Sequence, residues 1–446
     1  MKTALSTVLV LGLTAATAVS AAIITVPLDY LEFPEHRNPE SLTKRYFQKR
    51  AALSTNIPLT NVENDVIYTV PVGLGTPAQN FNVAIDTGSP VTWVSLTTCT
   101  STGCASVNKF NCAASSTCQA AGQNFSANYV SGQGVSGDYY IEEYTLGQLN
   151  FQAVMGGVTV NSAPLPTGVD GIMGLWFYGP GSNIPILNRL YNTTALTQNM
   201  IGIYLTPSTS TSNTAPGGEI TFGGVDTTRF QGQISYTNCV SSRPWTIPVA
   251  AMKVGSTNIA VGTSVAAIDT GTTAMLMPKA VSDQINQAIP GAQLANTQSG
   301  PLWLIPCSGN TVTTITFGSF TASIPYTSLA MQSTKTATTQ GDFCVSAAMF
   351  PSGTTATIDA WLIGDAFLKN VYSVFDFGTN TATGGRIGFA ALGSGGSTVP
   401  ATGSNGNSNN NNNSNASSAA KNLRSITALQ AMAVVAVAAS VCLAGL

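Results

Sequence analysis

The chain is poor in charge and almost without histidine. Charged residues make up 8% of its 446 positions, against about 25% in an ordinary soluble domain. No basic stripe exists to neutralise phosphates, which excludes nucleic acid as the expected partner. The single histidine, His36, lies near the N-terminus. If that region is removed, the mature protein has no imidazole. Ser-His-Asp and Cys-His catalysis both need a histidine base, and zinc hydrolases usually need histidine ligands. Carboxylates are left as the general acid and base, with no metal and no cofactor called for.

What is present is the triplet Asp-Thr-Gly, twice, each time after a short apolar run. FNVAIDTGSPVTWV centres on Asp86 and SVAAIDTGTTAMLM on Asp269, 183 residues apart (269 − 86). Matched strand-then-turn contexts at this spacing suggest two carboxylates brought together by an internal duplication. Two close carboxylates do not both ionise easily, so one keeps a proton while the other loses it. A second repeat supports the duplication: Ile172-Met173-Gly174 follows the first triplet and Leu362-Ile363-Gly364 the second, with Asp-to-Gly separations of 88 (174 − 86) and 95 (364 − 269).

From about Ile67 to Leu392, runs rich in Val, Ile, Thr, Tyr and Phe alternate with Gly, Asn, Ser and Pro turns, as in GGEITFGG. This pattern predicts an all-β architecture with only short helices, such as one starting at Pro278. The expected division is a signal peptide over 1–21 and a propeptide over 22–50. An N-terminal β-lobe with Asp86 then covers 51–228 and a C-terminal β-lobe with Asp269 covers 229–393. The signal peptide is read from Lys2, the apolar LSTVLVLGLTAATAV and a small-residue exit. The propeptide ends at dibasic Lys44-Arg45 and Lys49-Arg50; its net charge is +1 against −6 for the 51–415 body, so acid would loosen it as carboxylates protonate. Residues 394–420 are mostly Gly, Ser and Asn and read as a flexible stalk. Residues 421–446 end in the apolar run Ala428–Leu446 and fit a GPI attachment signal that is removed, with Asn415 as the attachment residue. The alternative for that run is a transmembrane helix.

With both triplets and their companion strands in view, the chain resembles the pepsin family of two-lobed aspartic peptidases, over about Ile67 to Leu392. YTVPVGLGTPAQNFNVAIDTGSPVTWV, GEITFGGVD and WLIGDAFLKNVYSVFDFGTNTATGGRIGFAAL carry the likeness. The resemblance implies a bilobal fold of two related β-lobes, a cleft between them and a β-hairpin flap. It implies that Asp86 and Asp269 are the catalytic pair, held by Thr87, Gly88 and Ser89 and by Thr270, Gly271 and Thr272. Tyr129 matches the flap tyrosine, followed by Val130, Ser131 and Gly132, and Trp93 matches its usual partner. Val130 departs from the family's glycine there and stiffens and crowds the hairpin tip; Pro90 is a second departure. The implied substrates are proteins or peptides, the implied inhibitors pepstatin-type, and the implied state a monomer. Together with the tail, the likeness is to the GPI-anchored, yapsin-like proteases of fungi, made as zymogens and held at the membrane surface.

Eight cysteines in a secretory chain point to disulfides. The resemblance implies Cys99 with Cys104 and Cys307 with Cys344; Cys112 and Cys118 are close enough to pair with each other. Spacing alone leaves crossed pairings among the four N-terminal-lobe cysteines open. Cys442 would leave with the anchor signal, and Cys239 reads as a buried free thiol. Glycosylation sequons stand at Asn124, close to Tyr129, and at Asn192, with two more at Asn412 and Asn415. Asp138, Glu142 and Glu143 follow the flap and read either as a cleft preference for basic substrates or as an outward strand face. Two other functions fit parts of the pattern: a wall-bound binding protein on a protease scaffold, which leaves the paired carboxylates unexplained, and a vacuolar protease.

Overall fold

The computed structural model describes residues 52–393, except 130–132, 180–181, 183, 209, 211, 241–244, 298–299, 339–340, 352–359 and 380–383. The expected signal peptide, propeptide, stalk and anchor signal lie outside the described residues, as do His36, Asn412, Asn415 and Cys442. So do Val130, Ser131 and Gly132.

The described chain is built from strands, and local sequence shows why. In Thr55–Val62, Ile57 and Leu59 point inward while Asn56, Pro58 and Thr60 are exposed, the period-two pattern of a half-buried strand. Strands covered on both faces are apolar throughout instead: Gly171–Gly174 and Trp361–Ile363 are buried at every position.

The sequence repeat is a repeat of topology. In the first half, Gln79–Asp86 runs parallel to Gly171–Gly174, which pairs antiparallel with Trp93–Ser95, which runs parallel to Leu149–Asn161. In the second half, Val265–Ile268 runs parallel to Trp361–Ile363, which pairs antiparallel with Met275–Leu276, which runs parallel to Ala348–Met349. Each half therefore ends its triplet strand beside the strand that leads into a glycine, Gly174 or Gly364. Both glycines are required by close approach. A Cβ on Gly174 would sit 2.7 Å from the Ser89 carbonyl oxygen, and one on Gly364 1.8 Å from that of Thr272.

A 13-stranded sheet joins the two halves. Its order passes from Phe230–Asn238 through Arg386–Leu392 and Val371–Asp376 to Met200–Leu205, Thr214–Phe222 and Thr55–Val62 before reaching the Asp86 strand. Aromatic packing continues the junction: Phe177 meets Phe377 at 5.2 Å between ring centroids, and the Trp245 Nε1–H donates to the Leu175 carbonyl at 2.9 Å. A second apolar cluster of Val91, Trp93, Phe125, Tyr129, Tyr139 and Ile172 underlies the hairpin that carries Tyr129. The helix expected from Pro278 spans Lys279–Gln287 and buries Val281 and Ile285, four positions apart on one face.

Among the described residues three disulfides are present, Cys99–Cys104, Cys112–Cys118 and Cys307–Cys344. Cys239 is a buried free thiol, pushed up to about 12 by that burial. Among the described residues, no helix is long and apolar enough to cross a membrane.

Candidate active site

Both triplet aspartates are inside the molecule, Asp86 at 0% and Asp269 at 1% exposure. Each turn holds its own carboxylate with two donors. The Gly88 N–H donates to Asp86 Oδ1 at 2.9 Å, and the Gly271 N–H to Asp269 Oδ1 at 2.9 Å. The outer oxygens accept hydroxyls: Ser89 Oγ donates to Asp86 Oδ2, and Thr272 Oγ1 donates to Asp269 Oδ2 at 2.7 Å. The Gly88 N–H also reaches Asp269 Oδ1 at 3.1 Å, so one donor touches both carboxylates. Only glycine fits there, since a Cβ on Gly88 would lie 2.6 Å from Asp269 Oδ1.

The two threonines lock the turns to each other. Thr87 Oγ1 donates to the Ile268 carbonyl at 2.8 Å and Thr270 Oγ1 to the Ile85 carbonyl at 3.0 Å. In return, the Thr87 N–H donates to Thr270 Oγ1 at 3.1 Å and the Thr270 N–H to Thr87 Oγ1 at 3.0 Å. These groups are buried, so each bond satisfies a donor that would otherwise lose water without replacement.

Burial pushes both carboxyls above the ordinary carboxylate range, and the Asp269 charge pushes Asp86 well above it. The turn donors pull the other way, since they favour the charged form. The balance keeps one proton on the pair at a pH where an isolated aspartate has lost it, and the pair titrates as a unit.

Tyr129 is 1% exposed and accepts a hydrogen bond from Trp93 Nε1–H at 2.7 Å. The Tyr129 backbone N–H donates to the Gln133 carbonyl at 2.9 Å. Burial and the Asp86 charge hold the phenol well above its usual pKa, so it is neutral. Asn124, opposite Asp138 across the hairpin, and Asn192 are both exposed. Glu142 does not belong to an outward face. It is fully buried and accepts hydroxyls from Ser115 and Thr117 in the Cys112–Cys118 loop; Asp138 is exposed and Glu143 half-buried.

Sequence reasoning missed three participants. The Thr273 hydroxyl donates to the Val66 carbonyl at 2.6 Å, tying the second turn to the first half. Trp245 spans the halves as described. Asp365, directly after Gly364, is a third buried carboxyl, whose N–H donates to the Thr272 carbonyl at 2.8 Å. Its position in WLIGDAF was in view, but a single acidic residue gives no sign of burial. Among the described residues, no group of three or more His, Cys, Asp or Glu side chains is gathered to hold a metal ion.

Residues 67–392 match the family model described as eukaryotic aspartyl protease. Major aspartyl peptidase 1 of Cryptococcus neoformans var. grubii is 30% identical over 378 residues, covering 80% of this chain and 74% of that protein. Aspartic-type endopeptidase ctsD of Aspergillus fumigatus is 30% identical over 377 residues, covering 82% and 74%. Pepsin A of Rhinolophus ferrumequinum is 29% identical over 360 residues, covering 79% and 88%. The chain belongs to the pepsin-like family of eukaryotic aspartyl proteases, with its bilobal all-β fold. It is accordingly an aspartic-type endopeptidase, a hydrolase.

Proposed function

We propose that Asp86 and Asp269 are the catalytic pair of a secreted, surface-anchored endopeptidase that cleaves internal peptide bonds in acid and is made as a zymogen. The observation that carries the reading is the Gly88 N–H shared between Asp86 Oδ1 and Asp269 Oδ1, at 2.9 and 3.1 Å. It supports two carboxylates sharing one proton and acting together on a single water. The ionised member takes a proton from that water as it adds to the substrate carbonyl. The protonated member donates to the carbonyl oxygen, and the tetrahedral intermediate collapses with proton transfer to the leaving nitrogen. The pair is left to share its proton again, with neither residue assigned it. Tyr129, held by Trp93, closes over the substrate from the flap, with Val130, Ser131 and Gly132 at its tip. Thr87, Ser89, Thr270, Gly271 and Thr272 orient the carboxylates.

Around this core the reading keeps the divisions drawn from the sequence. The signal peptide is 1–21, the propeptide is 22–50, the lobes meet at 228/229, the stalk is 394–420 and the anchor signal is 421–446, with GPI attached at Asn415. Glycans on Asn124 and Asn192 fit their exposure. The yapsin-like comparison rests on the stalk and tail of the sequence, and the enzyme acts as a monomer on protein or peptide substrates.

Purified mature protein should digest a denatured protein in acid, and a pepstatin-type inhibitor should stop it. Asp86→Asn with full activity overturns the assignment. Release from intact cells by a phosphatidylinositol-specific phospholipase is the expected result for the anchor; retention after that treatment overturns it.

A further inference from the structure

Asp365 opens the short helix Asp365–Leu368 and is 1% exposed. Neither of its carboxyl oxygens has a hydrogen-bond partner among the described residues. The two aspartates of the dyad are equally buried but receive two or more donors each, so Asp365 alone of the three has no hydrogen bond to stabilise its charged form. Its N–H is bonded to the carbonyl of Thr272, whose hydroxyl holds Asp269.

The surroundings sharpen the contrast. The charged groups that face Asp365 are Asp269 and Asp86 from the active-site turns, Asp65 from the turn between Thr55–Val62 and Ile67–Leu74, and Lys369 at the C-cap of its own helix. The phenol of Tyr68 lies within reach of its charge as well. Lys369 is the one cation of the set, and it is engaged elsewhere: its Nζ donates to Asp65 Oδ2 at 2.8 Å, with side chains 10% and 18% exposed. Asp65 Oδ1 also accepts from Asn61 Nδ2 at 2.6 Å and the Ser208 N–H at 2.5 Å. Asp365 thus stands at the seam where a turn of the first half docks on the second, among three carboxylates and one ammonium already in use.

We propose that Asp365 is a proton-operated lock on this seam. Protonated, it lets the helix Asp365–Leu368 stay docked between the Thr272 turn and the Asp65 turn. Ionised, it places an unpartnered negative charge between Asp269 and Asp65 and releases the seam, so that rising pH costs the enzyme its fold and not only its catalytic proton. Burial and the neighbouring carboxylates raise the Asp365 pKa above that of an unfolded aspartate, near ~3.9. The stabilisation is therefore complete below about pH 4 and is lost as pH rises through the folded value.

The test follows the circular dichroism of the mature enzyme, as Tm from pH 4 to 8 and as the unfolding rate at pH 7, so that it reads folding and not the role of the dyad. Asp365→Asn keeps a neutral group of the same shape and should lose less Tm than the unaltered enzyme as pH rises, the raised dyad carboxyls still ionising in both, with unfolding at pH 7 at least tenfold slower. Lys369→Met removes the only cation facing Asp365 and should act oppositely, unfolding at least tenfold faster at pH 7. Parallel loss of Tm with pH in Asp365→Asn and the unaltered enzyme overturns the proposal. If Asp365→Asn does not fold, Lys369→Met decides alone, and an unchanged alkaline limit in that variant overturns it.

Discussion

The two halves build their buried carboxylates from the same parts and diverge one residue later. Asp-Thr-Gly is followed by Ser89 in one and Thr272 in the other, and both hydroxyls donate to the outer oxygen of their own aspartate. Beyond the paired glycines, Gly174 is followed by Leu175, buried in the apolar core, while Gly364 is followed by Asp365, buried without a partner. On the other side of the dyad the asymmetry reverses, since the hairpin with Tyr129 and its Trp93 bond belongs to the first half. Duplication supplies the symmetric part, which is the dyad and its threonine lock. What lies above and behind that lock is free to differ, and there the first half carries the Tyr129 hairpin and the second a buried, unpartnered carboxyl.

The largest expected difference between the halves comes from their disulfides. Cys307–Cys344 closes 37 residues of chain and Cys112–Cys118 only 6, so on loop-entropy grounds their loss costs about 4 and about 2 kcal/mol. Urea unfolding of the Cys307→Ser/Cys344→Ser and Cys112→Ser/Cys118→Ser variants reads both values; equal losses would break the ordering. Next comes Gly88→Ala, where a Cβ must displace the Asp269 carboxylate. We expect kcat to fall about 10²-fold, as for a displacement of about 1 Å at a reacting group, with substrate KM changed far less. Thr87→Val and Thr270→Val should each cost about 1–3 kcal/mol, because each leaves a buried N–H without its acceptor. The two losses should match, and the double variant should cost less than their sum, because both remove one lock. Markedly unequal thermal melts would show that the lock is not symmetric. The smallest effect on catalysis is Trp93→Phe, which removes the bond to Tyr129 along with part of a buried ring and should lower kcat/KM by about fivefold, corresponding to about 1 kcal/mol.

The symmetric part of the molecule was legible in its sequence and the asymmetric part was not. The triplets, the two glycine strands and the strand-rich pattern each depend on local residue order, which duplication preserves. Cys99–Cys104 came only from the family resemblance and Cys112–Cys118 from closeness in sequence, while spacing left crossed pairings open until the structure paired them. The 13-stranded sheet was not, because its joining pair, Met200–Leu205 with Val371–Asp376, unites segments about 170 residues apart whose affinity leaves no trace in composition. Glu142 misled for a related reason. Alternation alone would keep it on an outward face, but it is buried beside Ile141, and the hydroxyls that satisfy it come from a different loop. Asp365 was hidden in the same way, since its unusual state is defined by what surrounds it.

The central claim, that Asp86 and Asp269 act as one unit, is tested most directly by kcat/KM in acid for Asp86→Asn, Asp269→Asn and the double variant. We predict that each single substitution lowers kcat/KM by about 10³-fold or more and that the double variant is no worse than either, since removing one partner already removes the shared proton. Losses that add on a logarithmic scale, or one single variant that stays active, would contradict the account.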